Sequence, residues 1–322
     1  MKKTKMIALA LCTGLLLTGC GKIPTLANGE QVVAKLDGKE FTADQLYLEL
    51  KSLGGNQVLT DMIDDYIASK EIEDTTDAEE YAAGQVQAYK EQMEAYGYDY
   101  EEWLAGNGFA SEADFKDYMV KSYLKQQAVE KYVKDNLTEK EINEYYEKEI
   151  FGELTAKHIL IAPETTSDMT EEEIAAAETA AYEKAKKLIS DLNNGADWNT
   201  VVKENTNDTG SADDGGLISN FSKDSVVEPF WNATYALKDG EMTSEPVKST
   251  YGYHIIVRVS QNEKPTKEQA MDTIKDGLYS QKASEDSYLY QRAWVGLRKA
   301  YNLEIIDSDI KSAYNKTVKD YE

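Results

Sequence analysis

The two histidines of the chain, His158 and His254, are its clearest candidates for chemistry, because imidazole both donates and accepts hydrogen bonds and titrates near neutral pH. Each lies in an apolar run typical of a β-strand, HILI in one case and YHIIV in the other. By pattern alone, two histidines facing the core of a sheet are more often structural residues than catalysts. With 2 His and 2 Cys in 322 residues, the composition argues against a metal-rich centre or a thiol enzyme.

A third reactive residue, Cys20, ends the sequence LTGC. Three lysines near the start and an apolar run over 6–17, too short to span a bilayer comfortably, precede it. This order is typical of a bacterial lipobox, in which the cysteine is acylated and becomes the mature N-terminus. We therefore predict a lipoprotein signal peptide over 1–19 and a lipidated tether over 20–30, since a diacylated Cys20 supplies the two chains that stable anchoring needs. The alternative is an ordinary secretory signal with an accidental cysteine.

The charge of the chain limits its partners. With 35 Lys+Arg against 59 Asp+Glu, the net charge is −24, so a nucleic acid would be repelled over most of the surface. A hydrophobic share of 41% and a charged share of 29% are typical of a folded protein, and the length suggests two or three folding units.

Three regions follow from the hydrophobic periodicity. Helical spacing dominates 31–152, where Thr42 with Gln45 and Thr138 with Glu141 form helix-capping patterns. Strand-like runs at 155–161, 218–221 and 253–259 alternate with helices within 153–262. Helical spacing returns in 263–322, with a further strand expected at 303–306. We expect the two helical regions, 31–152 and 263–322, to pack together as one discontinuous domain.

The region 153–262 carries a series of short motifs in a fixed order. They are HILI at 158–161, NDTGS at 207–211, GG at 215–216, PF at 229–230 and GYHII at 252–256. This combination resembles the parvulin-type peptidyl-prolyl isomerases. The resemblance implies an α+β parvulin domain, a four-stranded sheet with surrounding helices, inserted in a mainly α-helical chaperone domain. With the lipobox and the flanking helices, the whole chain resembles the PrsA-type foldase lipoproteins, whose helical region is similar to that of SurA-type chaperones.

The resemblance also implies roles for individual residues. His158 and His254 would belong to the paired-histidine hydrogen-bond network of the family, acting through hydrogen bonds rather than proton transfer. Asp208 or Thr209 would occupy the place of the family's Cys or Asp, with Asp208 preferred.

On the substrate side, the implied site departs from the usual pattern of the family. Phe230 would be the aromatic residue of the proline pocket and Val226 would replace the usual Met, with Phe221 and Tyr251 nearby. The segment 217–220 departs from the Asp-Leu-Gly that usually follows the two glycines. This departure bears on substrate range and rate.

The function implied by the resemblance is isomerisation of X-Pro peptide bonds in exported proteins by a foldase anchored through Cys20 at the extracytoplasmic face of the cell membrane. Its partners would be unfolded or folding exported polypeptides, with no cofactor and no metal, and both monomer and homodimer remain open. One alternative is a non-catalytic holdase with a degenerate parvulin domain. A solute-binding lipoprotein is disfavoured, because the chain lacks a two-lobed α/β pattern.

Overall fold

The computed structural model describes residues 30–321. The predicted signal peptide, Cys20 and nearly all of the tether lie outside these residues. The described chain begins with an antiparallel hairpin of β1 (Val32–Leu36) and β2 (Lys39–Thr42). The predicted capping box is confirmed, because the Thr42 hydroxyl accepts from the backbone of Gln45, whose side chain bonds back to the Thr42 N–H. The helices that follow are α1 (Ala43–Leu50), α2 (Asn56–Glu71), α3 (Thr76–Ala95), α4 (Tyr100–Gly106) and α5 (Glu112–Asp135).

The middle of the chain alternates helices with the strands of a second sheet. A capping box at Thr138 opens its first helix, as the sequence predicts. Its elements are α6 (Glu139–Glu149), β3 (Leu154–Ile161), α7 (Glu171–Asn193), α8 (Trp198–Asn205), β4 (Leu217–Phe221), α9 (Glu228–Ala236), β5 (Val247–Ser249) and β6 (Gly252–Gln261).

The last part of the described chain is helical. It contains α10 (Met271–Glu285), α11 (Leu289–Ala300) and α12 (Ser308–Val318). The strand expected at 303–306 is wrong: these residues are irregular, with Ile305 buried and Ile306 88% exposed. No described helix is both long and apolar enough to cross a bilayer.

The chain divides into two compact units, one formed by the segments up to Leu137 and from Gly277 onward, and one over Thr138–Asp276. In the first, helical unit, Ile67 of α2, Val129 of α5 and Leu297 of α11 lie in one buried cluster. The two distant segments therefore share a hydrophobic core.

The second unit, here called the sheet unit, is built on four antiparallel strands in the order β4-β3-β6-β5. Successive side chains of a strand point to opposite faces. One face places Ile159 and Ile255 against α7 and α8, and the other places Ala156 and Ile256 against α9. The fold is thus an α+β unit with a four-stranded sheet within a mainly helical chain, as predicted.

Candidate active site

The sheet brings the two histidines together. Leu160 of β3 pairs with His254 of β6, and His158 pairs with Ile256, so the histidines are diagonal neighbours on the face that α9 covers. Their rings are 5.5 Å apart between centroids and nearly parallel, and each histidine is only 4% exposed. Strand pairing therefore fixes the distance between the imidazoles before any side-chain contact is considered.

A line of hydrogen bonds runs through both imidazoles. His158 Nε2 lies 2.8 Å from Asp208 Oδ2, and the two Nδ1 atoms of His158 and His254 are 3.3 Å apart. At the other end, His254 Nε2 lies 2.7 Å from Ser249 Oγ. Ser211 donates to Asp208 Oδ2 and lies 3.3 Å from His158 Nε2. Both ring nitrogens of each histidine therefore have a partner.

Burial determines the protonation states of the histidines in this line of hydrogen bonds. Desolvation lowers the pKa of His254 to about 4, and the neighbouring His158 adds to the effect. Desolvation also lowers the pKa of His158, although its hydrogen bond with Asp208 partly offsets this. For Asp208, burial raises the pKa, but hydrogen bonds from Ser211 and His158 outweigh burial and leave the pKa below its usual value. At neutral pH the line therefore contains two neutral imidazoles and one carboxylate.

With both imidazoles neutral and Asp208 ionised, only one assignment of donors and acceptors satisfies every hydrogen bond of the line. Asp208 can only accept, so His158 Nε2–H donates to it and leaves His158 Nδ1 as an acceptor. His254 Nδ1–H then donates to His158, and the Ser249 hydroxyl donates to His254 Nε2. The Ser249 oxygen in turn accepts from the backbone N–H of Tyr251 at 3.1 Å. The arrangement sets the tautomer of both histidines.

An apolar wall lies against the histidine pair. The Phe230 ring, 2% exposed, meets both imidazoles edge-on at centroid distances of 5.3 Å. Phe221 packs against Phe230 at 5.7 Å, and half-buried Val226 belongs to the same cluster. The site therefore combines a buried line of polar groups with a buried aromatic cluster.

The side chains of two sequence-predicted site residues, Thr209 and Tyr251, lie away from this line. Thr209 is exposed, whereas Asp208 makes the contact with His158. The Tyr251 side chain is 64% exposed, and Tyr251 contributes to the line through its backbone N–H to Ser249.

Ser249 is the main site residue that sequence reasoning missed. It lies in β5, a strand of three residues, and pairs with Gly252 across a tight turn. A hydroxyl five residues before His254, on the far side of such a turn, was the available signal. Ser211 was visible in the NDTGS motif, but its bond to Asp208 follows from the loop conformation.

The two glycine motifs are explained by close backbone contacts at the site. Gly216 has a φ of 76°, and a Cβ there would lie 2.1 Å from the carbonyl oxygen of His158. The His158 N–H donates to the Gly216 carbonyl at 2.8 Å. Gly252 has a φ of 133°, and a Cβ there would lie 2.4 Å from the carbonyl oxygen of Ile161. Glycine at these two positions lets neighbouring backbone approach the histidine-bearing strands.

Comparison with known proteins identifies the family of the chain and the domain that carries this site. The family model of the PPIC-type PPIASE domain matches residues 140–263. Foldase protein PrsA 1 of Listeria innocua is 32% identical over 313 residues, which cover 97% of this chain and 93% of that protein. The chain belongs to the PrsA foldase family. A second PrsA, from Geobacillus kaustophilus, is 30% identical and covers 99% of this chain and 100% of that protein.

Among solved structures, the foldase protein PrsA of Streptococcus pneumoniae covers 90% of this chain and 100% of that chain, with a TM-score of 0.53 and 20% identity. This likeness shows a shared fold. The four residues of the histidine line lie within the residues that the PPIC-type PPIASE domain model matches.

Proposed function

We propose that this chain catalyses cis/trans isomerisation of X-Pro bonds in exported proteins and assists their folding, anchored by a lipid on Cys20 at the extracytoplasmic face of the cell membrane. The observation that carries the catalytic part is the buried line from Asp208 through both histidines to Ser249, beside the Phe230 ring. The clients are unfolded or folding exported polypeptides.

The reaction suits a site without a nucleophile. Rotation about an X-Pro bond crosses a barrier of about 18–20 kcal/mol because it interrupts amide resonance. Each ~1.4 kcal/mol removed from that barrier gives a tenfold gain in rate. The site needs to favour the twisted amide over both planar forms, and no bond to the enzyme forms or breaks.

The residues divide this task between them. Phe230, Phe221 and Val226 supply the apolar surface for the prolyl ring. Burial holds both imidazoles neutral and the hydrogen-bonded line fixes their orientation, so their dipoles need no reorganisation when the amide twists. Asp208 sets the orientation from one end and Ser249 from the other. Acid–base transfer has no place in this scheme.

The test uses residues 21–322 without the lipid. Cis/trans exchange of Ala-Pro and Gln-Pro peptides is measured by NMR with the wild type, with His254→Ala and with a matched control, Lys248→Ala. Lys248 is exposed on β5, next to Ser249 in sequence, and pairs with Glu178. We expect acceleration by the wild type and the control, and its loss with His254→Ala.

If neither wild type nor control accelerates exchange on any peptide, the catalytic proposal fails. Suppression of client aggregation that is equal in the wild type and His254→Ala would then favour a non-catalytic holdase. The 217–220 segment, which departs from the family pattern, forms most of strand β4 at the edge of the sheet next to β3. If the chain does not accelerate exchange, this segment is the first place to look for the cause.

A further inference from the structure

The first helix of the helical unit has an apolar side that the described chain leaves largely exposed. On α1, Leu46 and Leu50 are about one helical turn apart and share a side of the helix, yet they are 41% and 49% exposed. Leu53, in the short π-helical turn that follows, is 80% exposed. No residue of α1, all of which the structure describes, is buried, whereas an amphipathic surface helix normally turns its apolar side to the core.

The hairpin before α1 adds two more exposed apolar side chains. Leu36 pairs with Lys39 and Ala34 pairs with Phe41, so Leu36 and Phe41 share one face of the hairpin. Both side chains are exposed. The two residues and the three leucines above are here called the N-terminal apolar surface: Leu36, Phe41, Leu46, Leu50 and Leu53.

Two ion pairs fix which side of α1 faces the rest of the helical unit. Lys51, directly after α1, donates to Asp307 at 2.8 Å and to Asp309 at 2.7 Å, at the start of α12. At 3.6 residues per turn, Lys51 lies about 100° around the helix axis from Leu50 and about 140° from Leu46. The side of α1 that faces α12 is therefore a different side from the one that carries the leucines.

The N-terminal apolar surface lies close in sequence to the predicted lipid anchor. Residues 21–30 separate Cys20 from the start of the hairpin, and ten residues span at most about 35 Å. A tether this short holds the surface at a high effective concentration near the bilayer, so a weak affinity for lipid is sufficient for contact. This step rests on the proposed function, which places a lipid on Cys20.

The charge of the segment does little to oppose contact with a bilayer. Residues 31–55 contain three Lys and four Asp or Glu, so their net charge is −1, against −24 for the whole chain. Anionic headgroups therefore repel this segment less strongly than the rest of the chain. Tyr47, one turn before Leu50, is also exposed, and tyrosine beside an apolar helix side is typical of the membrane–water interface.

We propose that the N-terminal apolar surface contacts the lipid bilayer. The leucines of α1 enter the boundary between headgroups and acyl chains, to a depth of about 5–10 Å. Lys39, whose ammonium lies 5.1 Å from the centre of the Phe41 ring, keeps its charge among the headgroups while Phe41 meets the apolar layer. The contact would hold the helical unit in one orientation at the membrane instead of leaving it free on its tether.

The test attaches the chain to vesicles without relying on acylation in the cell. In residues 20–322, Cys20 is the one cysteine, because Cys12 precedes this segment. Cys20 is coupled to a maleimide-headgroup lipid in phosphatidylcholine vesicles that also contain a phosphatidylcholine with a photoreactive diazirine in its acyl chain. After illumination, mass spectrometry locates the residues that carry the lipid label.

We expect the lipid label to concentrate in residues 31–55. The triple variant Leu46→Ser/Leu50→Ser/Leu53→Ser should lower the label in this segment at least about tenfold, because three leucines no longer gain free energy by leaving water. The tether and Cys20 are the same in both chains, so proximity to the vesicle alone cannot produce the difference.

A matched control replaces three exposed apolar residues that lie elsewhere in the helical unit. Its substitutions are Tyr96→Ser, Tyr98→Ser and Ile306→Ser, at positions more exposed than Leu46 or Leu50. We expect the control to keep the wild-type label in 31–55. All six substituted side chains are exposed, and urea unfolding of both triple variants checks that they fold.

A label spread over the exposed apolar residues of the whole chain, or equal in the wild type and the leucine variant, overturns the proposal. So does a wild type without label in 31–55. If the leucine variant then loses self-association in analytical ultracentrifugation, a second copy covers the surface. If it loses suppression of client aggregation, a client does. Isomerase activity and acylation in the cell do not enter this assay, so the proposed function can fail while the lipid contact stands.

The reverse outcome is equally distinguishable, because loss of the label leaves the exchange of X-Pro peptides by the sheet unit to be measured separately.

Discussion

At the scale of single residues, His254 makes the stability of the sheet unit depend on pH. Its pKa in the folded chain is about 4, against about 6.5 for a free histidine. Between these values the unfolded chain binds more protons, so the contribution of His254 is complete above pH 6.5 and is lost as the pH falls toward 4. We expect His254 to account for a loss of roughly 2–3 kcal/mol between pH 7 and pH 4.5.

The measurement is urea unfolding at both pH values, for the wild type and for His254→Gln. The variant lacks the titrating ring but keeps a polar side chain, so its stability should fall less steeply with acidification. Because the carboxylates of the chain titrate in both proteins, the difference between the two slopes isolates the histidine. Equal slopes would mean that His254 is not held neutral.

The residues of the site show what a sequence can and cannot reveal. His158 and His254 stand out because they lie in apolar strand-like runs. The choice between Asp208 and Thr209 could not be made with certainty from sequence, because it depends on which side chain the loop turns toward His158. Ser249 was missed for a related reason: a hydroxyl five residues before His254 is a sequence signal, but its link to His254 depends on the turn between β5 and β6, which that signal does not fix.

At the scale of elements, the close approach of Gly216 to β3 gives a sharp prediction. Gly216→Ala places a Cβ against the His158 carbonyl in a left-handed backbone conformation. Gly240 has a similar φ of 82° but has nothing within 4 Å of the corresponding Cβ position. We expect Gly240→Ala to cost about 1–2 kcal/mol, from backbone strain alone, and Gly216→Ala clearly more.

Native-state hydrogen exchange of the β3 and β6 amides in the full chain would measure both changes. Similar losses in the two variants would show that the loop can move away from His158, and would remove the packing explanation of the double-glycine motif.

The helices and strands were not equally predictable. Helices such as α1 and α6 begin with capping boxes, which are formed by residues three positions apart and so can be recognised locally. Strand β5, Val247–Ser249, is too short to form a pattern and exists because it pairs with β6. The reverse error occurred at 303–306, where a short, mostly apolar run suggests a strand but the structure forms none.

At the scale of the whole molecule, the Asp64–Arg298 ion pair joins the N-terminal segment of the helical unit to its C-terminal segment. Burial raises the pKa of Asp64 in spite of its hydrogen bonds with Arg298, so an unpaired carboxylate here would be costly. We expect Arg298→Leu to destabilise the helical unit by about 3–5 kcal/mol. The double variant Asp64→Leu/Arg298→Leu should recover much of this loss.

Urea unfolding of the two variants, compared with the wild type, tests this coupling. A double variant less stable than Arg298→Leu alone would show that the two residues contribute independently rather than as a pair.

The boundary between the two units depends on contacts between residues that are far apart in sequence. The sequence pattern divides the chain at 153, whereas the compact sheet unit begins at Thr138 and so includes α6. The Tyr146 hydroxyl of α6 donates to the Pro265 carbonyl at 2.9 Å, and Lys264 donates to the Tyr146 carbonyl at 2.8 Å. Each of these bonds joins residues more than a hundred positions apart in sequence, so the periodicity of a local segment cannot predict it.

The divided helical unit has a consequence for the order in which the chain matures. A ribosome makes the chain from its N-terminus at roughly 5–20 residues per second. The sheet unit is continuous in sequence and can close once its own residues are free, whereas α2 and α5 must wait for Trp294 and Leu297 to complete their core. The N-terminal segment of the helical unit is thus among the last to become fully native, and a chain that stops before α11 has a finished sheet unit but a helical unit whose apolar core is still open.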